Sequence, residues 1–126
     1  MTPSRALSSL IGFSALALSS CGGGDSVTLY SGRGEDLVQP VVDACAASTG
    51  LDIVVRYGDS AEMLLLIQEE GDNSPADVYY SQGAGFLGLL SADDGLATLD
   101  SATLDLVGDD HLISPQADWV GVTGRA

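Results

Sequence analysis

The sequence predicts an α/β fold built on a parallel sheet, and three observations carry that expectation. β-rich runs alternate with helical periods three times, as βαβ units do. Each β-rich run ends in a loop of small and polar residues that opens a helix. The composition, 126 residues with 45% hydrophobic and 17% charged, is that of a globular chain of one domain at most.

The elements follow in order. Val27 to Tyr30 is a short β-rich run, closed by the glycines at 32 and 34. From Asp36 the apolar residues Leu37, Val38, Val41, Val42 and Cys45 recur at helical spacing, and Gly50 supplies a stop. Pro40 must then sit in the first turn of that helix or kink it. "LDIVVRYG" is the second strand. A helix over 60–70 follows, with Asp59 and Glu62 spaced as a capping box and Gly71 at the C′ position. "DNSP" makes a turn, "ADVYYS" is the third strand, and a third helix begins at Gly85 and ends near "DDG". Beyond Gly95, "LATLD" reads as extended, "SATLDLVGDDHLISP" as a helical or irregular link, and "ADWVGVTGRA" as a further strand. Stopping just past that strand would leave a half-built parallel sheet with an unpaired edge, so the expectation is an incomplete sequence or a truncated gene.

Residues 1–20 read as a signal peptide. Arg5 is their only charge, Ala6 to Leu18 is apolar but too short to span a bilayer, and small residues follow. "LSSC", Leu18 to Cys21, resembles the lipobox of bacterial lipoproteins, which implies lipidation of Cys21 and a mature chain tethered to the membrane outside the cytoplasm. Two or more acyl chains, at about 0.8 kcal/mol per buried methylene, anchor stably. Residues 21–26 have the composition of a flexible spacer. With Cys21 lipidated, Cys45 has no partner for a disulfide and is expected to be a small buried hydrophobe on the apolar helix face.

The charge excludes some partners. Eighteen Asp and Glu stand against four Arg, with a formal net charge of -14. Nucleic acid and anionic lipid would be repelled and would find almost no cation to neutralise a phosphate. No Ser-His-Asp order, zinc spacing or P-loop is present, so the expectation is a binding protein rather than an enzyme, with no catalytic residues. Gly83, Gly85 and Gly88 spell G-x-G-x-x-G after the third strand, a dinucleotide fingerprint in the wrong place; close helix packing is the expected role. Tyr79 and Tyr80 point to opposite faces of a strand and are expected to be ordinary sheet residues. His111 is expected at the solvent or a helix end, and Trp119 in the core.

In a parallel sheet, ligands bind outside the carboxyl ends of the strands, where loops meet helix N-termini. Three loops qualify, 31–35, 58–60 and 81–85. The candidate ligand or anion contacts are Ser31, Gly32, Arg33 and Gly34 from the first, Ser60 from the second and Gln82 from the third. The N–H groups of "SGRG" and the helix end favour an anion by roughly 0.3 to 1 kcal/mol, and Arg33 adds a fork suited to carbonate, phosphate or carboxylate. The alternative is that Arg33 pairs locally with Glu35 or Asp59. No metal ligand is assigned to this chain.

"VTLYSGRGEDLVQPVVDA", "VRYGDSAEMLLLIQEEGDNSPADVYYSQGAG" and "DWVGVTGRA" resemble segments of the ferric-iron-binding solute-binding proteins of ABC importers, over 27–126. The resemblance implies the type 2 periplasmic binding protein fold, two α/β lobes with the ion between them, of which 27–126 would form part of the first lobe, with the second lobe absent. It implies ferric ion with a synergistic anion as ligand, expected only for the full two-lobed protein, an ABC permease as partner, an extracytoplasmic location on a lipid anchor, and a monomer. The histidine and glutamate that well-known members place on this lobe fall at Gly34 and Gln82, so neither ligand is present here; the family's tyrosine pair lies in the second lobe. A binding protein for another small oxyanion is the nearest alternative. A nucleotide-dependent oxidoreductase built on the glycine run, and a non-functional gene remnant, are more distant ones.

Overall fold

A computed structural model describes residues 26–124. The segment expected as a signal peptide, Cys21 and all of the expected spacer but Ser26 lie outside the described residues, and Ser26 opens the first strand instead. The chain runs β1 (Ser26–Ser31), α1 (Glu35–Thr49), β2 (Asp52–Tyr57), α2 (Ser60–Glu70), β3 (Val78–Tyr80), α3 (Ala84–Ala92) and a one-turn α4 (Ser101–Leu104). Single 3-10 turns stand at Gly71–Asn73 and Asp110–Leu112.

The sheet is open and parallel, in the order β2-β1-β3. β1 is central because the chain steps outward to β2 and then crosses back over β1 to β3. Crossovers of one hand then put α1 and α2 on opposite faces. The register places Leu29 beside Val55 and Val78, and Ser31 beside Tyr57 and Tyr80, so these side chains share the α1 face. There Leu29, Val38 and Val42 form a buried cluster, with Ile53, Val55, Tyr57 and Tyr80 packed on it. Tyr30 points the other way, into the layer of α2 and α3, where Met63, Leu64 and Leu90 are also buried.

Local chemistry sets the helix ends. Gly50 closes α1 in the left-handed region at φ 74, with its N–H donating to Ala46 O at 2.8 Å. The Asp59 side chain caps α2 by accepting from Glu62 N at 2.8 Å. Pro40 lies inside α1 rather than in its first turn, so α1 does without one hydrogen bond, to the Asp36 carbonyl.

Tyr30 ties α2 to the sheet. Its hydroxyl donates to both carboxylate oxygens of Glu70, at 3.0 and 3.2 Å, and Ser74 Oγ donates to the same carboxylate at 2.7 Å. Burial above all, and then Glu70, raise the phenol above its ordinary pKa, so it stays a donor. The Arg56 guanidinium covers its ring, 5.6 Å from the centroid.

Three expectations are corrected. The segment expected as a last strand makes only an isolated antiparallel bridge, Ile113 to Val120, because the chain reverses sharply between them, with Ala117 at φ 55. Cys45 is exposed rather than buried. The sheet takes only the Val38 and Val42 stripe of α1, leaving Leu37 69% and Val41 68% exposed on its flank. Cys45 shares with that flank an apolar groove of about 640 Å³ that reaches Val78 of β3. Gly85 and Gly88 are not packing glycines: a Cβ at either would meet nothing within 4 Å.

Gly88 is exposed in the middle of α3, so Gly88→Ala removes backbone freedom from the unfolded chain without creating a clash. It is expected to stabilise the chain by about 0.5–1 kcal/mol in chemical denaturation. A loss of stability would mean that the glycine is held for close approach after all.

Candidate functional site

The carboxyl ends of all three strands meet at one edge of the sheet, and their loops are tied together by hydrogen bonds. Gly32 N donates to Tyr80 O at 2.8 Å, and Gly58 N to Ser31 O at 3.0 Å. Ser31, fully buried, donates from Oγ to Arg33 O at 2.9 Å and accepts from Arg33 N at 3.2 Å, which folds the first loop into a tight turn. Gly32 has no room for a side chain, since a Cβ there would stand 2.7 Å from Ser60 Cα and nearer still to its hydroxyl.

Outside this edge lies an open cavity of about 380 Å³, the size of a small-ligand site. Arg33, Gln82 and the first residues of α3 line one side, and His111, Trp119 and Gly121 the other. Arg33 Nε is buried and has no hydrogen-bond partner among the described residues. A buried donor without a partner costs roughly 1–3 kcal/mol unless something meets it.

Three helix ends come near this edge; that of α2 is capped by the Asp59 carboxylate, and the other two differ in what they offer an anion. The first turn of α1 carries Glu35 and Asp36, which already answer its dipole and would repel a second negative charge. The first turn of α3 carries no acid, and its N-cap Gly83 has no side chain to bond the free N–H groups. Gly83 and Ala84 line the cavity, so the helix end that faces it is that of α3.

The opposite wall is positioned by Ser114, which is buried. Its Oγ donates to Asp118 at 2.6 Å and accepts from Asp118 N at 3.0 Å and Trp119 N at 3.2 Å. The Ser114 hydrogen bond, first among several, holds the Asp118 carboxyl below its ordinary pKa. Trp119 is therefore half-buried in the cavity wall and not in the core, which corrects the sequence expectation. His111 is exposed, as expected, but it too lines the cavity.

Of the residues nominated from sequence, Arg33 and Gln82 line the cavity. Ser31, Gly32, Gly34 and Ser60 are not among its lining residues. Gly34 caps α1 and accepts from Leu37 N and Val38 N. Ser60 is 6% exposed, and its hydroxyl is shared between Gly32 O, at 3.3 Å, and Gln82 N, at 2.9 Å. Tyr79 and Tyr80 do take opposite faces, Tyr79 donating to Ser60 O at 2.6 Å and Tyr80 packing under α1. His111 and Trp119 were missed; the only sequence signal for this wall was the family-like string "DWVGV". Among the described residues, no three His, Cys, Asp or Glu side chains are grouped to hold a metal ion.

No family model matches the chain. Over 101 residues, 79% of the chain, it is 33% identical to the major ferric iron-binding protein of Neisseria gonorrhoeae, covering 31% of that protein. Over 121 residues, 96% of the chain, it is 31% identical to the Fe(3+)-binding periplasmic protein of Serratia marcescens, covering 35% of it. Its fold superposes on iron-bound HitA from Pseudomonas aeruginosa with a TM-score of 0.75 and 32% identity, over 79% of this chain and 32% of that one. Against a Trichodesmium protein (IdiA, FutA) in complex with iron and citrate, the TM-score is 0.69 at 33% identity, over 76% and 30%. The chain thus spans about a third of the length of the curated relatives it matches. Over that third it has the α/β architecture of part of a periplasmic binding protein, and it is similar to ferric-iron-binding proteins of the periplasm.

Proposed function

We propose that this chain is the opening part of an extracytoplasmic ferric-iron-binding protein that serves an ABC importer, and that its cavity is the anion side of the ion site. The observation that supports it most is the 33% identity, over 79% of the chain, to proteins named for binding ferric iron. Binding is the whole activity in this reading, with no bond made or broken in the ligand. Two lobes would close on the ion, and docking on a permease would release it. Lipid on Cys21 would keep the protein at the membrane surface.

Ferric ion is hard and prefers phenolate and carboxylate oxygen, and an anion can complete its coordination shell. Arg33, Gln82 and the α3 N-terminus suit that anion: a positive fork, an amide side chain and free N–H groups converge on one cavity. Iron ligands are not grouped on this face among the described residues. The 126-residue polypeptide is therefore expected to leave ferric iron with citrate in a competition titration. Capture of iron at micromolar affinity or better would overturn the assignment of the cavity to the anion alone.

A second reading, a binding protein for a free oxyanion, is favoured by the partnerless Arg33 Nε. In that case removal of Arg33 abolishes all binding by the protein. In the iron protein it removes only the anion partner. The nucleotide reading gains no support from the glycine run, since a Cβ at Gly85 or Gly88 would meet nothing within 4 Å.

A further inference from the structure

We infer that Ser60 is the positioning residue of the cavity: it touches no ligand, but locks the first and third loops into the arrangement that presents Arg33 and Gln82 together. Ser60 opens α2, and its hydroxyl is the middle of a relay from Gln82 N–H to Ser60 Oγ to the Gly32 carbonyl. One hydroxyl that accepts from the third loop and donates to the first polarises both bonds in the same sense. The backbone of the same residue takes a third tie, with Tyr79 Oη donating to Ser60 O at 2.6 Å. Burial above all raises the pKa of that phenol, so it keeps its proton.

The first and third loops of the sheet edge thus meet on one side chain at the end of the second, in a residue that is 6% exposed. Gly32 completes the lock sterically: it lies against Ser60 so closely that no larger residue fits between them. Arg33 follows Gly32 directly, and Gln82 carries the N–H that Ser60 accepts, so the two cavity residues are coupled through it. Loops are otherwise the mobile part of such a sheet, and ligand affinity depends on how far they are held in the bound arrangement beforehand.

This inference rests on the anion-binding reading of the cavity, and its test separates the two. Ser60→Ala removes both hydroxyl bonds and keeps the helix. Val42→Ala, in the cluster under α1 and not among the residues that line the cavity, is the control for a loss of stability alone. The readouts are amide hydrogen exchange at Gln82, the affinity for inorganic phosphate by titration calorimetry, and the melting temperature. In Ser60→Ala, Gln82 is expected to exchange roughly tenfold faster and phosphate to bind about tenfold more weakly, a factor that corresponds to one lost hydrogen bond. Val42→Ala is expected to lower the melting temperature while leaving both other readouts unchanged.

Ser60→Cys keeps the shape and weakens both bonds. It covers the case in which the alanine variant does not fold, and it is expected to shift exchange and affinity in the same direction by a smaller factor. Unchanged Gln82 exchange in the Ser60 variants overturns the lock. Faster exchange with unchanged phosphate affinity overturns the positioning role. An equal loss of affinity in Val42→Ala makes the effect one of stability and also overturns it. If the unaltered protein binds no phosphate, the anion-binding reading fails and the positioning role with it. The exchange data then still report whether Ser60 couples the loops.

Discussion

Arg33→Ala is expected to weaken binding of phosphate or bicarbonate to this chain by tenfold to a hundredfold, and to leave its melting temperature unchanged or slightly raised. The expected loss follows from the guanidinium: a hydrogen bond to a charged group contributes about 1.5–3 kcal/mol, and tenfold in affinity is about 1.4 kcal/mol. The expected neutrality in stability follows from Nε, which is buried without a partner and so contributes a cost rather than a bond to the empty protein. The turn around Arg33 is held by Ser31 Oγ through backbone atoms, which alanine keeps. Titration calorimetry and a thermal melt on the same sample check both halves. Arg33→Lys is a useful companion, because it keeps the charge and loses the planar fork; it should recover only part of the affinity. Undiminished affinity in the alanine variant would remove Arg33 from the site.

Met63→Ala is expected to have the largest effect on stability, a loss of about 2–5 kcal/mol in denaturant unfolding. Met63 is 1% exposed, on the α2 side of the sheet where Leu64 and Leu90 are also buried. In a domain this size, stabilised by roughly 5–15 kcal/mol at most, such a loss is a large share of the total. Met63 also closes on the second loop, since a Cβ placed on Gly58 would meet both Met63 and Glu62 within 3.3 Å. A loss below about 1 kcal/mol would show that this layer collapses readily around the gap, as poorly packed sites do.

Much of the fold was legible because it is written in short-range chemistry. Asp59 two residues after β2, Gly50 after the apolar period of α1 and Gly71 after α2 mark helix ends through capping and the left-handed region, whatever lies elsewhere in the chain. Strand and helix periods set the order of elements, and the shortness of β3 explains why its edges were harder to place. The segment after Gly95 was misread because "ADWVGV" has strand composition. Extended backbone becomes a strand only where a partner is at hand, and here the chain turns at Ala117 to pair with Ile113 alone.

The sequence by itself determined the α/β class, the parallel order of units, the end of the sheet at which a ligand would sit, and the presence of Arg33 and Gln82 in its loops. These follow from residue type and spacing, which act over a few positions. Only the tertiary structure decided which helix end faces the cavity, that Ser60 is spent on the loops, that His111 and Trp119 form the far wall, and that Cys45 stands on an uncovered flank of α1. The role of Ser60 depends on residues more than 20 positions apart being brought within a hydrogen bond of one another, as Gly32, Ser60 and Gln82 are, and the others on how remote segments pack. Periodicity says that a helix has an apolar face; how much of that face a sheet covers is settled by the number of strands beside it.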